Sequence, residues 1–157
     1  MTTVQSRGFT IVELLVVMTV LAILATAALP LAELTVKRNQ ERELKLALRE
    51  VRQAIDAYKK AVDEGRIAST PADSGYPATL EMLVAGVSDA KLGGSKIYLL
   101  RRVPRDPFAE PAESAAATWG LRSFASPPDN PRPGRDVYDV YSQQAGTGLN
   151  GVPYREW

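Results

Sequence analysis

The sequence has no cysteine and no histidine among its 157 residues. Without cysteine the chain has no disulfide framework, although an exported domain can fold without one. Without histidine it offers neither a histidine-based catalytic triad nor a histidine metal ligand. The two absences therefore remove the commonest hydrolytic and zinc chemistries from consideration.

An excess of charge is also missing. Lys plus Arg number 19 and Asp plus Glu number 18, so the strongly basic balance typical of nucleic-acid-binding domains is not seen. Within Leu14–Ala32 there is no charged side chain at all. A helix needs roughly 20 predominantly apolar residues to cross the hydrocarbon core of a bilayer, and this run is long enough. The length of the chain fits one modest domain in addition to such an anchor.

Glu13 is a single acid placed at the start of this apolar run. An ionised side chain at the bilayer centre costs on the order of 3 kcal/mol on insertion scales, so it usually has a partner. The preceding residues 1–8 are short and polar and end in Gly8, whereas a secretory signal is cut after its apolar region. Cleavage after Gly8 would keep the apolar run and create an ammonium group on Phe9. In a bundle of axially shifted identical helices, that ammonium could meet the Glu13 of a neighbour.

The stretch Gly8-Phe9-Thr10-Ile11-Val12-Glu13-Leu14 resembles the prepilin signature of type IV pilins and type II secretion pseudopilins. The resemblance implies that a prepilin peptidase cuts after Gly8 and methylates the new amine of Phe9, and that Glu13 is the assembly glutamate. It also implies a leader over 1–8, a transmembrane and assembly helix over 9–32, an amphipathic helix over 33–65 and a periplasmic head over 66–157. From the residues alone, a plain signal anchor with an accidental glutamate is the alternative.

Beyond Ala32 the sequence becomes amphipathic. Apolar residues recur three or four apart, as on one face of a helix, at Leu44, Leu48, Val51, Ile55, Tyr58 and Val62. With the apolar run this predicts one helix over 9–64, ended by Gly65. We expect ion pairs four residues apart within it, Glu41 with Lys45 and Asp56 with Lys60.

Pro30 interrupts the backbone ladder of the predicted helix. It has no amide to donate, and its ring pushes on the preceding turn. Physics alone allows either a kink or the end of the membrane helix. The resemblance to pilins favours a kinked, continuous helix.

The head is predicted to be α+β, with the long helix packed against a small antiparallel sheet. A short helix is expected over 79–84 with Thr79 as its cap. Strands are expected over 97–100, 119–124 and 136–142. Proline and alanine content predicts a loop or a helical turn over 110–118 and a loop over 126–135, and the glycine-rich tail 146–157 is expected to be irregular.

Parts of the head are similar to the major pseudopilin of type II secretion, namely Tyr98-Leu99 followed by Pro104-Arg105-Asp106-Pro107-Phe108, then Trp119-Gly120 and Asp139-Val140-Tyr141-Ser142. In that family the terminal loop usually binds calcium through closely spaced aspartates.

This chain departs from the family at that loop, because 143–154 contains no aspartate. Calcium takes six to eight oxygen ligands, and only Asp136, Asp139 and Asn150 remain as candidate side-chain ligands. We expect no cofactor, and a tail that closes on itself through Leu149, Val152, Tyr154 and Trp157.

An enzyme is not expected. Ser142 has no histidine to activate it, and Asp136 and Asp139 would lie on opposite faces of a strand. The arginines at 101, 102 and 105 form a basic patch, which is a solvated surface, an ion-pair contact to an adjacent subunit or a contact to the negative pole of a partner.

Two structural functions follow from the resemblance. The favoured one is the subunit of a periplasmic pseudopilus, a helical homo-oligomer stored in the inner membrane with its head in the periplasm. Its partners would be the prepilin peptidase, the inner-membrane secretion platform and the minor pseudopilins, with no nucleic acid. The alternative is a major or minor type IV pilus subunit for adhesion, motility or DNA uptake. Pilus heads often close their terminal loop with a disulfide, so the absence of cysteine favours the pseudopilus. An anchored binding domain that never polymerises is a third interpretation.

Overall fold

The computed structural model describes residues 8–70 and 73–157, except for the side chains of 27–29. The leader predicted over 1–8, apart from Gly8, therefore lies outside the described residues. Backbone contacts divide the chain into two units, Met1–Asn39 and Gln40–Trp157. The fold is α+β and pilin-like, as predicted, with a long N-terminal helix and small antiparallel sheets.

The long helix α1 covers Ile11–Asp63, close to the predicted 9–64, and Pro30 lies inside it. The kink at Pro30 stays a prediction. In the first unit the large apolar side chains of α1 are exposed rather than packed in a core. This is the pattern of a helix whose apolar surface is covered by lipid or by other chains.

Gly65 ends α1 as predicted. Its φ is +68°, in the left-handed region that glycine enters without a steric penalty. The amide of Gly65 donates to the carbonyl of Val62, and the amide of Arg66 donates to that of Ala61. These two bonds form a Schellman motif, which satisfies carbonyls that the helix itself leaves without partners.

The core of the second unit is built on the predicted stripe of α1. Leu44, Leu48, Val51, Ile55 and Tyr58 are buried, and Val62 is half-buried beside them. Side chains from the rest of the head complete this core, namely Ile67, Leu80, Leu83, Leu100, Trp119, Val137, Val140 and Tyr154. The helical spacing thus identified the buried face of α1 correctly.

The head contains short elements joined by long irregular segments. Helix α2 is Glu81–Ala85, and the strands are β1 Val87–Ser88, β2 Lys96–Ile97, β3 Trp119–Arg122 and β4 Asp139–Ser142. Strand β1 pairs with β2, and β3 pairs with β4, both antiparallel. Turns of 3-10 helix cover Ala116–Thr118 and Tyr154–Glu156.

Two sequence predictions in the head are wrong in detail. Thr79 does not cap α2, because the helix starts at Glu81 and no side chain caps it. Leu80 holds the cap position and is buried, so core packing sets the start of the helix. The strand predicted over 97–100 stops at Ile97, since the next amides leave the ladder: those of Leu99 and Leu100 both donate to the carbonyl of Leu83.

The predicted ion pairs of α1 are replaced by others. Lys59 pairs with Asp63, and the ammonium of Lys60 lies 3.9 Å from the carboxylate of Glu64. Glu41 does not pair with Lys45, because its carboxylate turns to the tail of the chain. The predicted pairs had the right spacing, but Glu41 is engaged by the tail of the chain and Lys60 lies beside Glu64 on the same helix.

Candidate functional site

The first turn of α1 is capped by Thr10. Its hydroxyl oxygen accepts the amide of Glu13 at 3.2 Å, and its carbonyl accepts the amide of Leu14 at 3.1 Å. A side-chain oxygen in this position satisfies one of the amides that a helix leaves unpaired at its start. The signature therefore begins with a well-formed helix end, one residue after Phe9.

The carboxylate of Glu13 is the one acidic group in that first turn. Within residues 8–70 and 73–157 it has no hydrogen-bond or ion-pair partner. The positive end of the helix dipole favours an anion here by a few tenths of a kcal/mol to about 1 kcal/mol. That is less than the roughly 3 kcal/mol penalty for an ionised group at the bilayer centre. The dipole alone therefore does not offset the cost of this charge in lipid.

Other polar side chains of the apolar run have partners on the helix itself. The hydroxyl of Thr19 donates to the carbonyl of Leu15 at 2.8 Å, and that of Thr26 donates to the carbonyl of Ile23 at 2.7 Å. Such back-bonds remove the need for water around a hydroxyl. The described residues contain one helix, α1, that is long and apolar enough to cross a membrane. Among the described side chains of this run, Glu13 is then the charged one without a hydrogen-bond or ion-pair partner.

Gly8 and Phe9 precede α1, and the side chain of Phe9 is 80% exposed. A backbone segment outside a helix is more accessible to a peptidase than a helical one. Cleavage between the two residues, and methylation of Phe9, stay predictions.

The terminal loop, which we define as Gly146–Trp157, is attached to α1 by Glu41. One carboxylate oxygen of Glu41 accepts the amide of Leu149 at 2.7 Å and the hydroxyl of Tyr154 at 2.9 Å. Burial raises the pKa of Tyr154 to about 12, and the hydrogen bond to Glu41 and its charge act in the same direction. Glu41 itself is only 8% exposed.

Arg52, farther along α1, connects the same loop to β4. Its guanidinium donates to the carboxylate of Asp139 at 2.7 Å, to the carbonyl of Val140 at 3.0 Å and to the backbone oxygen of Trp157 at 2.7 Å. The planar donor geometry of arginine suits several acceptors at once. One side chain therefore ties helix, sheet and loop together.

The predicted closure of the loop through its own apolar side chains is only partly seen. Tyr154 is buried and lies edge-on to Trp157, with ring centroids 5.1 Å apart. Leu149 and Val152 are exposed instead. The loop closes mainly on α1, because Glu41 and Arg52 offer stronger charge-assisted bonds than two exposed aliphatic groups can provide.

The candidate calcium ligands are each engaged with the protein. Asp136 accepts the amide of Phe124 at 2.8 Å, Asp139 accepts Arg52, and Asn150 accepts the amide of Val152 at 3.1 Å. The described residues hold no cluster of three or more acidic, histidine or cysteine side chains suited to a metal ion. Calcium needs six to eight oxygens, and the donor set here does not fit it.

Ser142 is placed for structure rather than nucleophilic attack. It is completely buried, and its hydroxyl donates to Asp106, which is also buried. Asp106 accepts the amide of Phe108 at 2.8 Å as well, while its own amide donates to the hydroxyl of Thr118 at 3.1 Å. Asp106 of the Pro-Arg-Asp-Pro-Phe motif thus forms a buried junction between β4 and the turn that precedes β3.

The basic patch divides into two parts. Arg105 donates to the carbonyls of Glu110 and Glu113, so it organises the 110–118 segment. Arg101 and Arg102 are exposed on the head. Whether they contact another subunit stays a prediction.

Sequence reasoning missed Thr10, Glu41 and Arg52. Thr10 could have been found, since Thr-x-x-Glu ahead of an apolar run is a capping signature. Glu41 and Arg52 gave no such signal, because their partners lie 87 to 113 residues away in the chain.

Comparison with known proteins supports the N-terminal assignment. The family profile described as "Prokaryotic N-terminal methylation motif" matches residues 4–29. The match supports a place in the type IV pilin-like superfamily, whose members carry a prepilin leader and a structural rather than enzymatic role. No curated protein and no solved structure matches the chain.

Proposed function

We propose that this protein is the structural subunit of a periplasmic pseudopilus of a type II secretion system. A prepilin peptidase cuts between Gly8 and Phe9 and methylates the amine of Phe9. The cleaved subunit is stored in the inner membrane as a single-pass protein with its head in the periplasm. It then polymerises through the apolar part of α1, and filament growth drives protein export.

The observation that carries this proposal is the carboxylate of Glu13. It lies at the start of a helix with exposed apolar side chains and has no partner within the described residues. An ammonium on Phe9 of a neighbouring subunit neutralises it and fixes the axial shift between the two helices. The methylation motif matched over 4–29 supports the cleavage that would create this amine.

Two further observations favour the pseudopilus over a surface pilus. The head carries the Pro-Arg-Asp-Pro-Phe and Asp-Val-Tyr-Ser stretches that resemble the major pseudopilin, and the chain has no cysteine for a pilus-type loop disulfide. Its partners are then the inner-membrane secretion platform and the minor pseudopilins. Mechanical work comes from a separate cytoplasmic ATPase.

The assembly claim is tested by Glu13→Ala, with Glu33→Ala as the matched control on the same helix. Both variants are expected in the membrane fraction, because neither change makes the helix less apolar. Glu13→Ala should yield no sheared or cross-linked filaments, whereas Glu33→Ala should assemble as the wild type does. Filaments of normal yield from Glu13→Ala would contradict the proposal and favour a plain anchor.

Deleting the gene tests whether the protein serves a secretion system or a surface pilus. Protein export and surface filaments are measured in the deletion strain. Loss of exported proteins from the medium with surface filaments unchanged is expected for a pseudopilus subunit. Loss of surface filaments, adhesion, motility or DNA uptake with export unchanged would assign the protein to a type IV pilus instead.

A further inference from the structure

The terminal loop is held by side chains that all come from one face of α1. Glu41, Lys45 and Arg52 are spaced by four and seven residues, which places them in line on a helix. Glu41 accepts two hydrogen bonds from the loop, and Arg52 donates to the backbone oxygen of Trp157. The ammonium of Lys45 lies 4.4 Å from the centroid of the Trp157 ring.

The loop itself is shaped to reach this face. Its amide at Gly148 donates to the carbonyl of Val152 at 2.9 Å, and its Trp157 indole donates to the same carbonyl at 3.1 Å. A side chain at Gly148 would lie 2.3 Å from the Trp157 ring, so glycine is needed for the ring to pack there. Gly148 therefore lets Trp157 pack within the folded loop, and α1 supplies the charges that hold the loop.

The carboxylate of Glu41 accepts hydrogen bonds from a backbone amide of the loop, that of Leu149, and from a loop side chain, the hydroxyl of Tyr154. A bound cation would gather acceptors instead, and the two candidate side-chain ligands nearest the loop already accept hydrogen bonds, Asp139 from Arg52 and Asn150 from the amide of Val152. The arrangement is the inverse of a calcium site, because an anion collects donors where a cation would collect oxygens.

We propose that Glu41 replaces a metal ion as the anchor of the terminal loop, so that this head folds and keeps its loop closed without calcium. The proposal concerns the head alone and does not depend on the type of filament. It would hold for a pseudopilus, for a surface pilus and for a chain that never polymerises.

The test uses thermal unfolding of the full-length chain in detergent micelles, monitored by tryptophan fluorescence. Measurements are made in excess EGTA and in millimolar calcium. The wild type is expected to unfold at the same temperature in both. Glu41→Gln should lower that temperature by about 5–10 °C in both, since it weakens two bonds to a charged acceptor. Glu43→Gln, an exposed glutamate on the same helix, should leave the temperature unchanged.

Tyr154→Phe provides a second, milder variant if Glu41→Gln does not fold. It removes one donor to Glu41 and should lower the unfolding temperature by a smaller amount, again equally with and without calcium. Calcium-dependent stabilisation of the wild type would overturn the proposal, as would a Glu41→Gln variant as stable as the wild type. Saturable, tryptophan-sensitised terbium luminescence that calcium displaces would overturn it as well.

Discussion

Gly120 lies directly opposite Tyr141 in the ladder between β3 and β4, and the tyrosine ring covers it. A Cβ atom at Gly120 would come within 2.2 Å of that ring. The guanidinium of Arg155, within the terminal loop, lies 5.5 Å from the centroid of the same ring. The absence of a side chain at 120 thus helps to place the ring between strand and loop.

Gly120→Ala is expected to destabilise the head by about 1–3 kcal/mol, the usual cost of forcing extra volume into a packed site. Urea unfolding of the variant measures the loss. The double variant Gly120→Ala, Tyr141→Ala should lose less stability than the sum of the losses of the two single variants, because the ring that clashes is gone. If the second substitution adds its own loss in full, the clash is not the cause.

Asp89 makes the head sensitive to acid. Burial would raise the pKa of this fully buried carboxyl, but hydrogen bonds from Arg66 and from the amide of Lys91 hold it below its usual value. The unfolded chain therefore binds the proton more readily, and the stabilisation is present above the unfolded pKa of about 4 and lost as the pH falls below it.

Asp89→Asn should be less stable than the wild type at neutral pH, and the gap should narrow as the pH falls below about 4. Denaturant unfolding of both proteins at neutral pH and at a pH below about 4 measures the difference in stability. Asp129→Asn, an exposed control, should show no gap at either pH. A gap for Asp89→Asn that stays constant with pH would mean that the charge of Asp89 is not responsible.

Tyr154 makes the head sensitive to alkali. Its pKa is raised to about 12 by burial and by Glu41, against an ordinary value of 10.0. Between these values the unfolded chain has lost the proton and the folded chain has kept it, so stability falls as the pH rises from 10.0 to about 12. Tyr154→Phe should flatten the fall, measured by unfolding midpoints across this range. Tyr98→Phe, which alters an exposed ring, should not flatten it.

Gly65→Ala tests the helix stop. The added methyl meets open space, so its cost is the left-handed backbone alone, about 1–2 kcal/mol. Gly65→Asn should lose less, since asparagine tolerates this conformation better. Equal losses in denaturant unfolding would show that the left-handed backbone does not set the cost.

The sequence was most informative where structure is local. The stripe from Leu44 to Tyr58 and the stop at Gly65 follow from helical spacing and from glycine geometry, and both were predicted correctly. Strand bounds were predicted less well, because each end depends on a remote partner. Strand β4 begins at Asp139 instead of 136, since the amide of Val137 donates to the carbonyl of Pro77.

In the candidate site, too, local features could be predicted and contacts between remote residues could not. Glu13 stands out in the sequence as a charge within an apolar run. The anchoring of the terminal loop could not be predicted, because Glu41 and Leu149 are 108 residues apart and nothing local marks either as a partner. Glu41 instead resembled one member of a surface ion pair with Lys45.

The most direct test of the central claim is the intact mass of the protein extracted from membranes. We predict a single species that lacks residues 1–8, starts at Phe9 and carries one added methyl group. A species that keeps the leader, or one cut after the apolar run, would contradict the account.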